Sequence, residues 1–248
     1  MIDSTMKVRE VALIPDATRI LEKLRIDYCC GGEQPVGEAC ELAGIELEVL
    51  QQELAEVQPG GEHRDAPIDF RKLSLIELMD HIIDKHHVFT TNEMERLEAL
   101  TSKVIAAHGS NHPELYEVAK LLDVLFAELR PHMFKEEQVL FPYVFELERA
   151  VSLQTRASFP PFGTVNNPVR MMMIEHDNAG LLLKELRRIT SDYSIPGDAC
   201  MSYQVLYQSI EAFERDLHQH IHLENNILFP KAIQLEDGVT MNVTMPGP

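Results

Sequence analysis

One spacing occurs twice in this chain. His132-x3-Glu136-x3-Leu140-Phe141-Pro142 returns 88 residues later as His220-x3-Glu224-x3-Leu228-Phe229-Pro230. An α-helix turns once in about 3.6 residues, so a His and a Glu four apart lie on one face, one above the other. The Pro that follows each copy predicts that each helix ends there. Two such helices facing each other would place two imidazoles and two carboxylates around a space that suits two metal ions.

The neighbours of each pair are apolar. Leu121, Leu125, Glu128, Leu129, Val139 and Leu140 share a stripe with His132 and Glu136, and Phe213, Asp216, Leu217, Leu223, Ile227 and Leu228 share one with His220 and Glu224. Such stripes face a core. A carboxylate buried among leucines costs several kcal/mol unless it is paired or bound to a cation. A single pair of this kind reads as a hydrogen-bonded core pair; two copies, each ending in Leu-Phe-Pro, read as metal ligands.

The rest of the chain supplies the helices to complete such a site. Helical patterns run over roughly 72–107, 113–149, 167–191 and 199–235, with Gly109, Asn111 and Pro113 in the first gap, Pro160-Pro161 in the second, and Asp198 placed as an N-cap in the third. Short turns between long helices predict an antiparallel four-helix bundle, a fold whose core hosts metal sites. On the third helix His176 shares a face with Met172, Met173, Ala179, Gly180 and Leu183. On the first, periodicity favours His86, in line with Leu75, Met79, Ile82 and Phe89, while the repeat offset favours His87, with His176 89 residues after it. His81 reads as a surface histidine. Four His and two Glu suit two iron ions, although zinc or manganese accept the same donors. Glu128 and Asp216, one turn before His132 and His220, are placed to orient the imidazoles.

Ahead of the bundle, residues 1–57 read as a small helical domain with helices over 18–26, 36–43 and 46–57, Gly44 stopping the second. Residues 58–70 read as a linker, 71–236 as the bundle and 237–248 as a frayed tail. The formal charge of −18 argues against nucleic acid as a partner. The first residues lack the apolar stretch of a secretory signal and no apolar run is long enough to span a membrane, so a cytoplasmic location is expected. Cys29-Cys30-Gly31-Gly32 is the second chemical feature. Adjacent cysteines form only a strained, easily reduced disulfide. Cys40 and Cys200 carry no such context and read as structural.

Taken together, Asp27-Tyr-Cys-Cys-Gly-Gly32, His81-Ile-Ile-Asp-Lys-His-His87, the two repeats and Glu175-His176-Asp177 resemble the hemerythrin-like domain, and more closely the RIC (repair of iron centres) family of di-iron proteins. The likeness covers nearly the whole chain. It implies an all-α protein with two non-heme irons, carboxylate-bridged and oxo-bridged when oxidised. Their ligands would be His87, His132, Glu136, His176, His220 and Glu224, with Glu136 and Glu224 as bridges. It also implies that Glu128 and Glu175 lie near the site and that Cys29 and Cys30 serve redox or iron handling. The implied function is repair of iron–sulfur clusters or other iron centres damaged by nitrosative or oxidative stress. The partners would be damaged iron–sulfur proteins, with nitric oxide or oxygen as small ligand. A nitric-oxide-reductase-type activity and a homodimer stay open. Oxygen carriers have a further His where this chain has Gly180, which lowers the expectation of oxygen transport; an oxygen or metal sensor without catalysis is the alternative.

Overall fold

The computed structural model describes residues 2–14, 16–56, 68–155 and 157–241. Among them every regular element is helical, with one isolated antiparallel bridge from Lys7 to Pro35. The chain divides into two compact units. The first takes residues 1–74 together with 218–230, and the second takes 75–217 and 231–248. The last helix of the chain thus contributes to both.

In the first unit α1 (Val8–Ala12), α2 (Ala17–Lys23), α3 (Val36–Ala43) and α4 (Leu47–Glu56) surround a core built on Val8, Val11, Leu21, Val36 and Leu50. Each such side chain contributes about 1.5–3 kcal/mol on burial. The spans of α2, α3 and α4 follow the sequence pattern; α1 is an addition, started by a capping box in which the Lys7 backbone N–H donates to Glu10 at 3.0 Å. Gly44 closes α3 with φ +71°, a left-handed turn that suits glycine. Residue 57 and residues 58–67 of the expected 58–70 linker lie outside the described residues.

The bundle helices cover 75–108, 114–152, 166–189 and 201–241. They are α5 (Leu75–His81) and α6 (Val88–His108); α7 (Glu114–Lys135) and α8 (Phe141–Ser152); α9 (Asn166–Ile189); and α10 (Met201–Leu223) and α11 (Phe229–Met241). The first, second and fourth are each interrupted by a π-turn, at Ile82–His87, Glu136–Leu140 and Glu224–Leu228. α7 packs on α6 and α9, and α5 on α8. Phe126 and Phe213 meet edge to face at 5.6 Å in the core. Two carboxylates cap helix starts from neighbouring helices: Glu148 accepts from Leu75 and Ile76 N–H at 3.0 and 2.8 Å, and Glu236 accepts from Val165 N–H at 3.0 Å. The connection rich in proline is tied down where Asn167 donates to the Phe162 carbonyl at 2.8 Å and Tyr143 edges onto Phe162.

Pro142 and Pro230 do not end their helices. Both chains of hydrogen bonds widen just before the proline, where Phe141 N–H bonds the Glu136 carbonyl and Phe229 N–H bonds the Glu224 carbonyl, five residues back. The proline then falls at the start of the resumed helix, where its missing N–H costs least. The helix after Pro230 runs to Met241, past the expected start of a tail at 237; residues 242–248 lie outside the described part. Among the described residues no helix is long and apolar enough to cross a membrane.

Candidate metal centre

A π-turn inserts one residue into a helix and moves everything after it by about 100°. In the first bundle helix the buried stripe Leu75, Leu78, Met79, Ile82 therefore widens to take in His87 beside His86 and continues at Thr90, Met94 and Leu97, leaving Phe89 half-buried. Both histidines become buried and take different partners. His86 Nδ1 lies 3.1 Å from Asp216, with His81 edged against its ring at 5.7 Å. His87 points its Nε2 at Glu136 Oε2, 3.4 Å away. The same slip in the second helix exposes Val139 (43%) and buries Leu140 (1%).

Glu136 is fully buried, and its other oxygen, Oε1, is 3.3 Å from His132 Nε2. One carboxylate thus presents an oxygen to each of two imidazoles from different helices. His132 Nε2 also meets His176 Nε2 at 3.0 Å. That is the spacing of two ligands bound to one ion at about 2.1 Å and a right angle. The far sides of two of these imidazoles are braced. His132 Nδ1 donates to Glu175 at 2.7 Å and His87 Nδ1 to Glu137 at 2.7 Å. A carboxylate on Nδ1 keeps the proton there and leaves the Nε2 lone pair for a cation. The bond to His132, and after it Lys135, hold the Glu175 carboxyl down at about 2, so it stays charged.

In the first unit His220 and Glu224 repeat the local geometry. They are buried, with His220 Nε2 3.2 Å from Glu224 Oε1. The residues after Glu224 have a different task. Asn225 donates to the Cys29 carbonyl at 3.2 Å and Asn226 to the Tyr28 carbonyl at 3.0 Å. Asp27 holds the same loop from within, accepting from Cys30 and Gly31 N–H at 3.0 Å each and from the Cys29 thiol at 3.4 Å. A side chain at Gly32 would meet Asn226 at 2.8 Å, so glycine is needed for this approach. The Cys29 and Cys30 sulfurs are 3.8 Å apart, too far for a disulfide of about 2.05 Å. Contact with Cys30 and burial push the Cys29 thiol well up.

Several expected residues are placed otherwise. Glu128 is exposed, and the carboxylate on His132 is that of Glu175. Asp216 serves His86. Met173 is exposed (44%), whereas Ala179 and Gly180 are buried on the inward face of α9 with His176. Glu137, Asn225 and Asn226 carry no periodic signal, since each lies at a π-turn where helical phase is lost; their adjacency to Glu136 and Glu224 was the one clue available.

Buried His and Glu side chains whose nitrogens and oxygens converge, with His132 and His87 each backed by a carboxylate, define a cation-binding helical bundle. Residues 78–232 match the hemerythrin HHE cation binding domain, and residues 5–58 match a domain of unknown function, DUF542. The chain is 34% identical over 229 residues to a probable iron-sulfur cluster repair protein of Haemophilus influenzae, covering 92% of this chain and 96% of that one. It is also 34% identical over 227 residues to the iron-sulfur cluster repair proteins YtfE of Citrobacter koseri and Escherichia coli, covering 90% of this chain and 94% of theirs. The chain belongs to the hemerythrin HHE cation-binding family, in the branch of the iron–sulfur cluster repair proteins.

Proposed function

We propose that the protein holds two iron ions and uses them to restore iron–sulfur clusters or other iron centres damaged by nitric oxide or oxidants. The observation that carries this reading is Glu136, fully buried with its two oxygens turned to His132 and His87 at 3.3 and 3.4 Å. In this reading His87, His132, Glu136, His176, His220 and Glu224 would be the residues that hold the two ions. The names of the relatives support the task, and the equal His–Glu spacing in the two repeats supports a two-ion arrangement.

Bound iron would supply a redox-active Lewis acid and an exchangeable ion. The chain's own residues do the remaining work. Glu175 and Glu137 orient the imidazoles and offset the cations' charge; the apolar shell excludes water. Gly180 leaves the inward face of α9 without a side chain one turn after His176, which supports entry of a small ligand such as nitric oxide rather than oxygen storage. Cys29 and Cys30 form, with Asp27, a set of donors able to receive or pass an ion. Damaged iron–sulfur proteins are the partners in this reading, met in the cytoplasm.

The test is repair of an iron–sulfur enzyme inactivated by nitric oxide. The iron-loaded protein should restore its activity, whereas Glu136→Ala and Cys29→Ser/Cys30→Ser should not. Equal recovery with free ferrous iron alone would contradict the proposal.

A further inference from the structure

At the end of the bundle formed by the close of α6 and the start of α10, a second cluster of metal-binding side chains stands apart from Glu136. His108 is the last residue of α6, and His112 N–H bonds the His108 carbonyl at 2.9 Å, so the turn between them keeps helical spacing and sets both imidazoles on one side. The turn needs glycine at 109, where a side chain would meet the Tyr116 hydroxyl at 2.9 Å and the Ile105 carbonyl at 2.7 Å. Asp198 comes from the loop before α10, with Oδ1 2.9 Å from His112 Nε2. It does not cap the helix. His108, His112 and Asp198 each bring a ligand atom within 4.8 Å of the others.

Two further features make this more than a surface ion pair. The buried ring of Tyr203 is flanked by both imidazoles, His108 at 5.4 Å and His112 at 5.3 Å, each edge-on, which fixes their planes. The Nδ1 of His112 donates to Glu114 at 2.9 Å, the carboxylate brace seen on His132 and His87. Next to the cluster, Cys200 immediately precedes α10 and is exposed rather than structural. Its thiol lies against the Tyr203 backbone N–H and the His108 side chain. Two nitrogens, a carboxylate and an available sulfur suit zinc, a borderline-soft ion with no preference for a regular octahedron.

We infer that His108, His112, Asp198 and Cys200 form a second, surface metal site of zinc type, with Glu114 positioning His112. It is separate from the iron ligands and stands whether or not the repair reading holds. The ligand atoms of His108, His112 and Asp198 already lie close together, His112 Nε2 and Asp198 Oδ1 at 2.9 Å, so side-chain movement closes them on one ion, and Cys200 swings in as the fourth ligand.

The test uses the full chain with its iron loaded, titrated with Zn²⁺ and, for spectra, Co²⁺, under anaerobic conditions. One Zn²⁺ per chain should bind without release of iron. His112→Ala and Asp198→Asn should each remove that binding while iron content and helicity stay unchanged, the second in an exposed loop where folding is not at stake. Glu114→Gln should weaken it about 10–100-fold. Bound Co²⁺ should show tetrahedral visible bands and a near-ultraviolet thiolate band, the latter lost in Cys200→Ser. No zinc uptake beyond displaced iron, or uptake that persists in both His112→Ala and Asp198→Asn, overturns the site; Co²⁺ bound without a thiolate band overturns the place of Cys200.

Discussion

The two His-x3-Glu repeats are alike where they would hold metal and unlike where they face away from it. In both, the imidazole and the carboxylate approach to 3.2–3.3 Å, a π-turn begins at the Glu, and the helix resumes at Leu-Phe-Pro. The next residues diverge. After Glu136 stands Glu137, which braces His87; after Glu224 stand Asn225 and Asn226, which grip the Cys29-Cys30 loop. The two copies share the donor geometry, while the outer positions of each do separate work. The first copy tunes charge and tautomer, and the second anchors the thiols.

Removing the shared element should have the largest effect. Glu136→Ala and Glu224→Ala should each cut iron content by more than the roughly 10–100-fold in affinity that loss of an outer carboxylate costs. If one variant binds normally, the repeats are not equivalent. Next come the braces of the first copy. Glu175→Gln should weaken iron binding by about 10–100-fold, and Glu137→Gln by less, because Glu137 is the more exposed of the two (side chain 36% against 26%). Iron titrations of the two variants rank them. The smallest effect belongs to the second copy's outer positions. Asn225→Ala and Asn226→Ala should leave iron content unchanged. Each removes a hydrogen bond worth about 0.5–1.5 kcal/mol, so labelling of Cys29 should quicken by about two- to tenfold. A loss of iron in these variants would erase the proposed division of labour.

Much of this was legible from spacing alone. The four long helices and the inward positions of His132, Glu136, His176, His220 and Glu224 follow from 3.6-residue periodicity. What was not legible traces to the π-turns. Periodicity carried past Ile82 selects His86 and Phe89, and carried past Glu136 it selects Val139 together with Leu140; the inserted residue adds His87 to the stripe, leaves Phe89 half-buried and exposes Val139. The same device explains why proline, which ordinarily stops a helix, did not stop these two. Glu128 differs for another reason: one turn is the right rise, but its angle on the helix is outward, and Glu175, which the resemblance places near the site, reaches His132 from α9 instead. His108 and His112 were hidden by their setting, a turn punctuated by Gly109, Asn111 and Pro113, with their carboxylate partner Asp198 far along the chain.

The central claim is that Glu136 joins two imidazole sets into a two-ion centre. Iron analysis of anaerobically purified protein, run beside Glu136→Ala, tests it most directly. Two irons per chain in the native protein, both lost in the variant, is the result expected. A single iron that survives the substitution would contradict it.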